Sequence, residues 1–368
     1  MLKRVLAPLL TLLLLAGVGY AIYISVTGQA NTKAAADKLD AVHEIKGVIG
    51  SEKEDFFRDP ETVAALAKLN LKVTWDKSGS REIASIPNLA SQYAFAFPSG
   101  VSAAEKIKRD QNKNPSVKKS AQAFFTPMVI ASWKPIADIL IANNIVKKKG
   151  DAYFILDMVA LFDLITAEKR WTDLQDNQQY PTNKSILVVT SDVGKSNSAA
   201  MYLALASYIL NNNAIVQNEA QIAPLLPKLA SLFSRQGFAE GSTEVPFQDY
   251  LTMGMGKSPL VMIYESQFLR EMNNNAISAD MIPLYPEPTL FTKHIFIPFN
   301  ADAEILADAL ANNPDLQKIA AKHGFRTTNA ALFAKGKNIA GLQDLVNVID
   351  APSYEMLEAM INQISPAK

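Results

Sequence analysis

The amino-acid sequence predicts an α/β protein on a parallel sheet, carried behind an N-terminal transmembrane helix. Three observations support this. Strand-like apolar runs alternate with helical patterns along the chain. A Ser/Gly corner stands where strand gives way to helix, at "GSEK" (50–53), "SGSRE" (78–82) and "PSGVS" (98–102). An uncharged run of membrane length occupies the N-terminus. With 368 residues, 49 % of them hydrophobic, the chain is long enough for two domains.

Lys3 and Arg4 precede "VLAPLLTLLLLAGVGYAIYISV" (5–26), and the next charge is Lys33. At 1.5 Å per residue the run spans about 30 Å, the thickness of a bilayer core. Cations on its short side predict a cytoplasmic N-terminus and an exported remainder. A cleaved signal peptide is the competing reading. The length of the run and the tyrosines and isoleucines after Gly17 favour an uncleaved anchor at 1–29. No cysteine follows that could carry a lipid. An Ala/Lys/Asp-rich linker at 30–43 reads as a tether.

The exported part opens with a strand at 44–50 and a helix from Ser51 to about Asn70. Strands follow at 71–75 and 91–100, each leading into a helix. A basic loop, "KIKRDQNKNPSVKK" (106–119), separates them from the apolar run 123–133 and a helix from Lys134 to about Asn143. Residues 147–154 read as a turn, 185–191 as a strand and 197–210 as a helix. "PLVMIY" is a further strand, 281–299 is extended, and helices are predicted near 302–311 and 314–323. The last segment, 331–368, reads as a helical tail.

Composition excludes several functions. Thirty-six basic and 36 acidic residues leave no net charge to attract nucleic acid. The lack of cysteine removes disulfides, thiolate nucleophiles and Cys-ligated zinc, and suits an oxidising compartment. Gly194-Lys195-Ser196 and Gly256-Lys257-Ser258 look like phosphate-loop endings, but the required glycine is replaced by Val189 and Leu251. His43, His294 and His323 are scattered without ligand spacing, so neither a metal nor a cofactor is expected. No catalytic motif is present, and the chain reads as a non-enzyme.

What remains is the repeated corner. "ASWKP" (131–135) and "TSDVGKSNSAAMYLAL" (190–205) again set serines at helix starts, where N–H groups lack partners and the dipole is positive. Such corners suit an anion or a polar carbonyl, with plain N-capping as the alternative for any one of them.

The stretches "GSEKEDFF", "SGSREIA", "FTPMVIASWKPIAD", "TSDVGKSNSAAMYLAL", "GKSPLVMIYESQFL" and "LYPEPTLFTKH" resemble, in this order, the bacterial extracellular solute-binding proteins of type II periplasmic-binding-protein fold, nearest the molybdate-binding group. The resemblance covers about 44–330. It implies two lobes, 44–127 plus 288–330 and 128–287, joined by two crossing strands. It places Ser51, Ser80, Ser99, Ser132, Asn197, Ser198 and Tyr264 in the cleft, with Arg81 and Glu265 beside them and Lys195 as a source of charge. The implied function is a membrane-anchored, extracytoplasmic solute-binding protein, closing on a small polar or anionic solute for an ABC transporter or a membrane sensor. A ligand-less envelope scaffold on the same fold is the alternative, marked by a cleft filled with its own side chains. It would dock through loop 106–119 or the tail.

Overall fold

The computed structural model describes residues 42–149, 153–237, 239–334 and 347–365. The predicted anchor at 1–29 lies outside them, and among the described residues no helix is long and apolar enough to cross a membrane.

Three βα units begin the described chain. Strand β1 (His43–Gly50) pairs in parallel with β2 (Leu71–Ser78) and with the three-residue β3 (Phe95–Phe97). β1 ends in four buried residues, so it reads as the continuous apolar run of a strand covered on both faces. The helix expected over 51–70 is broken. A 3-10 turn, Ser51–Lys53, leads into a helix Glu54–Arg58, and a second helix starts at Pro60. Proline tolerates only the first turn of a helix, and Asp59 caps the new start by accepting the Glu61 N–H at 2.8 Å.

The sheet is mixed rather than parallel. Its order is β2-β1-β3-β9-β4-β8-β6-β5, where β4 is Ala121–Trp133, β5 Val146–Lys149, β6 Tyr153–Asp157, β8 Met281–Glu287 and β9 Thr289–Pro298. β7 (Val261–Tyr264) adds to β4, and β10 (Val348–Ile349) adds to β9. β9 runs antiparallel to both β3 and β4. Long β4 serves two neighbourhoods: Ala121–Pro127 pairs with β9, whereas Met128–Trp133 pairs with β7 and β8.

Each half of the sheet has its own core. The first is aromatic, with Phe95 stacked on Phe296 (4.6 Å) and Phe124 on Phe325 (4.9 Å); each such pair adds about 1 kcal/mol beyond its buried area. The second is aliphatic and surrounds the helix Asn197–Leu210, in which every residue but Tyr208 and Leu210 is buried. An all-round apolar helix has no solvent face and must lie inside.

Three further expectations change. Residues 185–191 form no strand: Val189 exchanges hydrogen bonds with Leu260 and Met262, but the Thr190 N–H goes to the Gln236 side chain, which ends the ladder. Residues 147–149 and 153–154 are arms of the β5/β6 pair rather than a turn. The first part of the basic segment 106–119 completes the helix Val101–Asp110, where Lys106 pairs with Asp110 and Lys108 with Glu105. Spacings of three and four residues bring those charges together on one helix face.

Candidate functional site

The junction of the two sheet halves holds a cluster of buried polar groups, built first from the end of β1. The tight turn after Gly50 swings Glu52 and Lys53 inward, leaving them 6 % and 0 % exposed. The Lys53 ammonium donates to the Glu52 carboxylate and to Ser99 Oγ (3.1 Å), and stands over the Phe97 ring at 4.9 Å. Ser99 Oγ in turn donates to Glu52. His294, on β9 and fully buried, presents Nδ1 to Lys53 Nζ at 3.3 Å. With lysine as the donor, Nδ1 accepts and the ring proton sits on Nε2, which has no partner among the described residues.

Charge in so dry a place must be compensated. Burial alone would raise the Glu52 carboxyl, but the Lys53 charge, with His294 and the bonds from Lys53 and Ser99, holds it at about 2. Burial lowers Lys53 against the pull of Glu52. Burial, then the Lys53 charge, pushes His294 down to about 3, so the imidazole is neutral.

The second half of the sheet contributes Tyr264 and Asn197. Asn197 Nδ2 donates to the Tyr264 hydroxyl at 3.2 Å, and the Tyr264 ring packs edge-on against His294, with centroids 5.7 Å apart. Burial and the nearby Glu52 charge raise the phenol, which stays a neutral donor. Two hydrogen-bonded groups, Asn197–Tyr264 and Lys53–Ser99–Glu52, therefore meet at the junction, where His294 touches both Tyr264 and Lys53. Gly100 makes the approach possible: with φ +91, its missing side chain leaves room for Asn197, whose Oδ1 would lie 1.9 Å from a Cβ. That oxygen is itself without a partner among the described residues.

Of the residues expected in a cleft, the structure thus unites Ser99, Asn197 and Tyr264. Ser80 stands one step behind, its Oγ accepting the Ser99 N–H at 2.8 Å. Ser51 is half-buried, and its successors Glu52 and Lys53 are the residues that reach the interior. Ser198 lies in a cluster of serines, 3.1 Å from Ser191 Oγ and 2.8 Å from Ser196 Oγ. Ser132, at the far end of β4, anchors a loop by donating to the Pro259 carbonyl at 3.0 Å. Arg81 turns to the C-terminal helix Tyr354–Ile364, where it makes a two-pronged pair with Glu358. Lys195 contributes its carbonyl, which accepts the Arg81 N–H at 3.0 Å, while its side chain is exposed. Glu265 is buried against Arg326 and the Tyr285 hydroxyl, all at 3.0 Å; burial raises its pKa against the opposing Arg326 charge.

Sequence reasoning missed Glu52, Lys53 and His294. "GSEK" was legible as a corner, but a Glu-Lys pair in a helix start reads as solvated charge, and a single histidine carries no mark of its surroundings.

Two more features frame the junction. The C-terminal helix spans it: Leu357, Met360 and Ile361 are buried in the second core, while Glu358 and Glu355 pair with Arg81 and Arg109 of the first half. Beside Asn197 and beneath residues 349–354 lies a cavity of about 330 Å³, lined in part by Gly100, Ser102, Met201, Phe291 and Lys293. Among the described residues no group of three or more His, Cys, Asp or Glu is placed to hold a metal.

No family model matches the chain, and no curated protein sequence matches it. Solved structures do. A periplasmic thiamin-binding protein is similar at 10 % identity and a TM-score of 0.56, over 88 % of this chain and 95 % of that one. The periplasmic binding protein AfuA from Actinobacillus pleuropneumoniae, with fructose-6-phosphate bound, is similar at 12 % and 0.55, over 88 % and 99 %. The sulfate-binding protein SubI from Mycobacterium tuberculosis is similar at 14 % and 0.51, over 86 % and 96 %. At these identities the likeness is one of fold, and it extends over nearly the whole of each neighbour: the chain has the type II periplasmic-binding-protein fold.

Proposed function

We propose that the chain is an extracytoplasmic solute-binding protein, tethered by its N-terminal helix, that closes two lobes on a small polar, anionic solute. Lobe I is 44–127 with 288–330, lobe II is 128–287, and β4 and β9 form the hinge. The single observation that carries the reading is the convergence of donors from both sides of one junction, Lys53 and Ser99 facing Asn197 and Tyr264. Closure of this kind is driven by contacts that exist only in the closed form. Three neighbours named for thiamin, fructose-6-phosphate and sulfate support binding rather than catalysis, and two of these solutes are anions. Delivery to an ABC transporter, or report to a membrane sensor, completes the proposal.

The test is a thermal-shift screen of the full chain, denatured and refolded to strip bound solute. The panel holds molybdate, tungstate, phosphate, sulfate, thiosulfate, amino acids and sugar acids. A ligand at 100 times its Kd adds about 2.7 kcal/mol, a shift of several degrees. The ligand-less scaffold is a second reading, and one observation favours it: Glu52 and Lys53 fill the junction themselves. Silence across the panel from a folded protein would select it.

A further inference from the structure

Glu52 sits at a helix start, where a carboxylate ordinarily caps backbone N–H groups in water. Here it does something else. It is 6 % exposed and takes hydrogen bonds from Lys53 and Ser99, at the junction where Asn197 and Tyr264 come in from the other side. The two first-lobe donors that an incoming anion would need, Lys53 and Ser99, are already directed at this one side chain. We propose that the Glu52 carboxylate is the chain's own occupant of the anion site, and that the solute it competes with carries a carboxylate or another small singly charged oxyanion group. This rests on the junction being the solute site.

Charge selects the class. Lys53 and Glu52 make a neutral pair, and the other cation of the first-lobe corner, Arg81, is committed to Glu358. A monoanion replaces the Glu52 carboxylate with no change in buried charge. A dianion would leave one negative charge uncompensated, at a high desolvation cost. Opening along β4 and β9 gives the turn Ser51–Lys53 access to water, where Glu52 swings out and vacates its donors.

The experiment is chemical rescue. In Glu52→Ala, Lys53 is left unpaired and a carboxylate-sized space opens. Melting temperature is followed against formate, acetate, sulfate and phosphate at constant ionic strength, with chloride as the balancing salt. Glu52→Ala is expected to gain several degrees, saturably, from formate or acetate, more than from sulfate, and to lose that gain when Ser99→Ala is added. Glu52→Gln keeps the shape while removing the competing charge, and serves where Glu52→Ala does not fold. It is expected to bind formate or acetate about tenfold or more tightly than wild type. Variants that fold and respond to these anions no better than wild type overturn the inference, and a solute found for the wild type would still stand. Rescue combined with a silent wild-type panel keeps Glu52 as occupant and removes the transport reading.

Discussion

Gly79 offers a direct test of how closely the two halves meet. It precedes Ser80 with φ −61 and ψ 141, a conformation open to any residue, so alanine there brings no backbone strain. Restricting the unfolded chain would by itself stabilise the protein by about 0.4–1 kcal/mol. Yet the added methyl would lie 2.6 Å from the Lys195 carbonyl oxygen and 2.9 Å from that of Gly241, both across the junction. Ordinary contact requires the backbones to part by roughly half an ångström or more. Overpacking of this kind costs about 1–3 kcal/mol. Parting also weakens the Arg81 N–H bond to Lys195, 3.0 Å long, a loss of about 1 kcal/mol. The net expectation for Gly79→Ala is a destabilisation of about 1–3 kcal/mol. Urea unfolding followed by tryptophan fluorescence measures it, and small-angle scattering should show a larger radius of gyration. A variant as stable and as compact as wild type would refute the closed contact.

The Arg81–Glu358 pair, with side chains 10 % and 21 % exposed, ties the C-terminal helix to the first half of the sheet. A double-mutant cycle with Arg81→Gln and Glu358→Gln should give a coupling of about 1–3 kcal/mol in urea unfolding; a value under about 0.5 would deny the tie. Acid should destabilise the protein in two overlapping stages. His294, at about 3 when folded against 6.5 when unfolded, stays neutral in the native protein while the unfolded chain takes up a proton, so stability falls from about pH 6.5 downward. Glu52, held at about 2 against 4.5, contributes stability above pH 4.5 that is lost as pH falls toward 2. Urea midpoints between pH 7 and 3 test this: His294→Gln should flatten the slope between 6.5 and 4.5, and an unchanged slope would assign it to other groups.

The alternation of strand and helix, the buried helix 197–210 with its stated ends, and the extended return 281–299 were all readable along the chain. Each is encoded by neighbours a few residues apart, whose period decides which face is buried. The break at Pro60 was readable in principle, since proline lacks the donor a helix interior needs. The antiparallel insertion of β9 was not, because strand direction depends on what the strand meets after a long detour.

The junction divides along the same line. Serines at helix starts are local signals, and Ser99 and Asn197 came from them. What those residues touch is not local: Lys53 reaches Ser99 across 46 positions and His294 across 241, and Arg81 reaches Glu358 across 277. The charge state of Glu52 and the neutrality of His294 follow from burial, a property of the assembled interior rather than of any window of sequence. The sequence by itself determined the α/β rhythm and the polar corners. Only the tertiary structure decided that a carboxylate of the chain's own occupies the place where those corners meet, because that placement depends on packing between segments far apart in the chain.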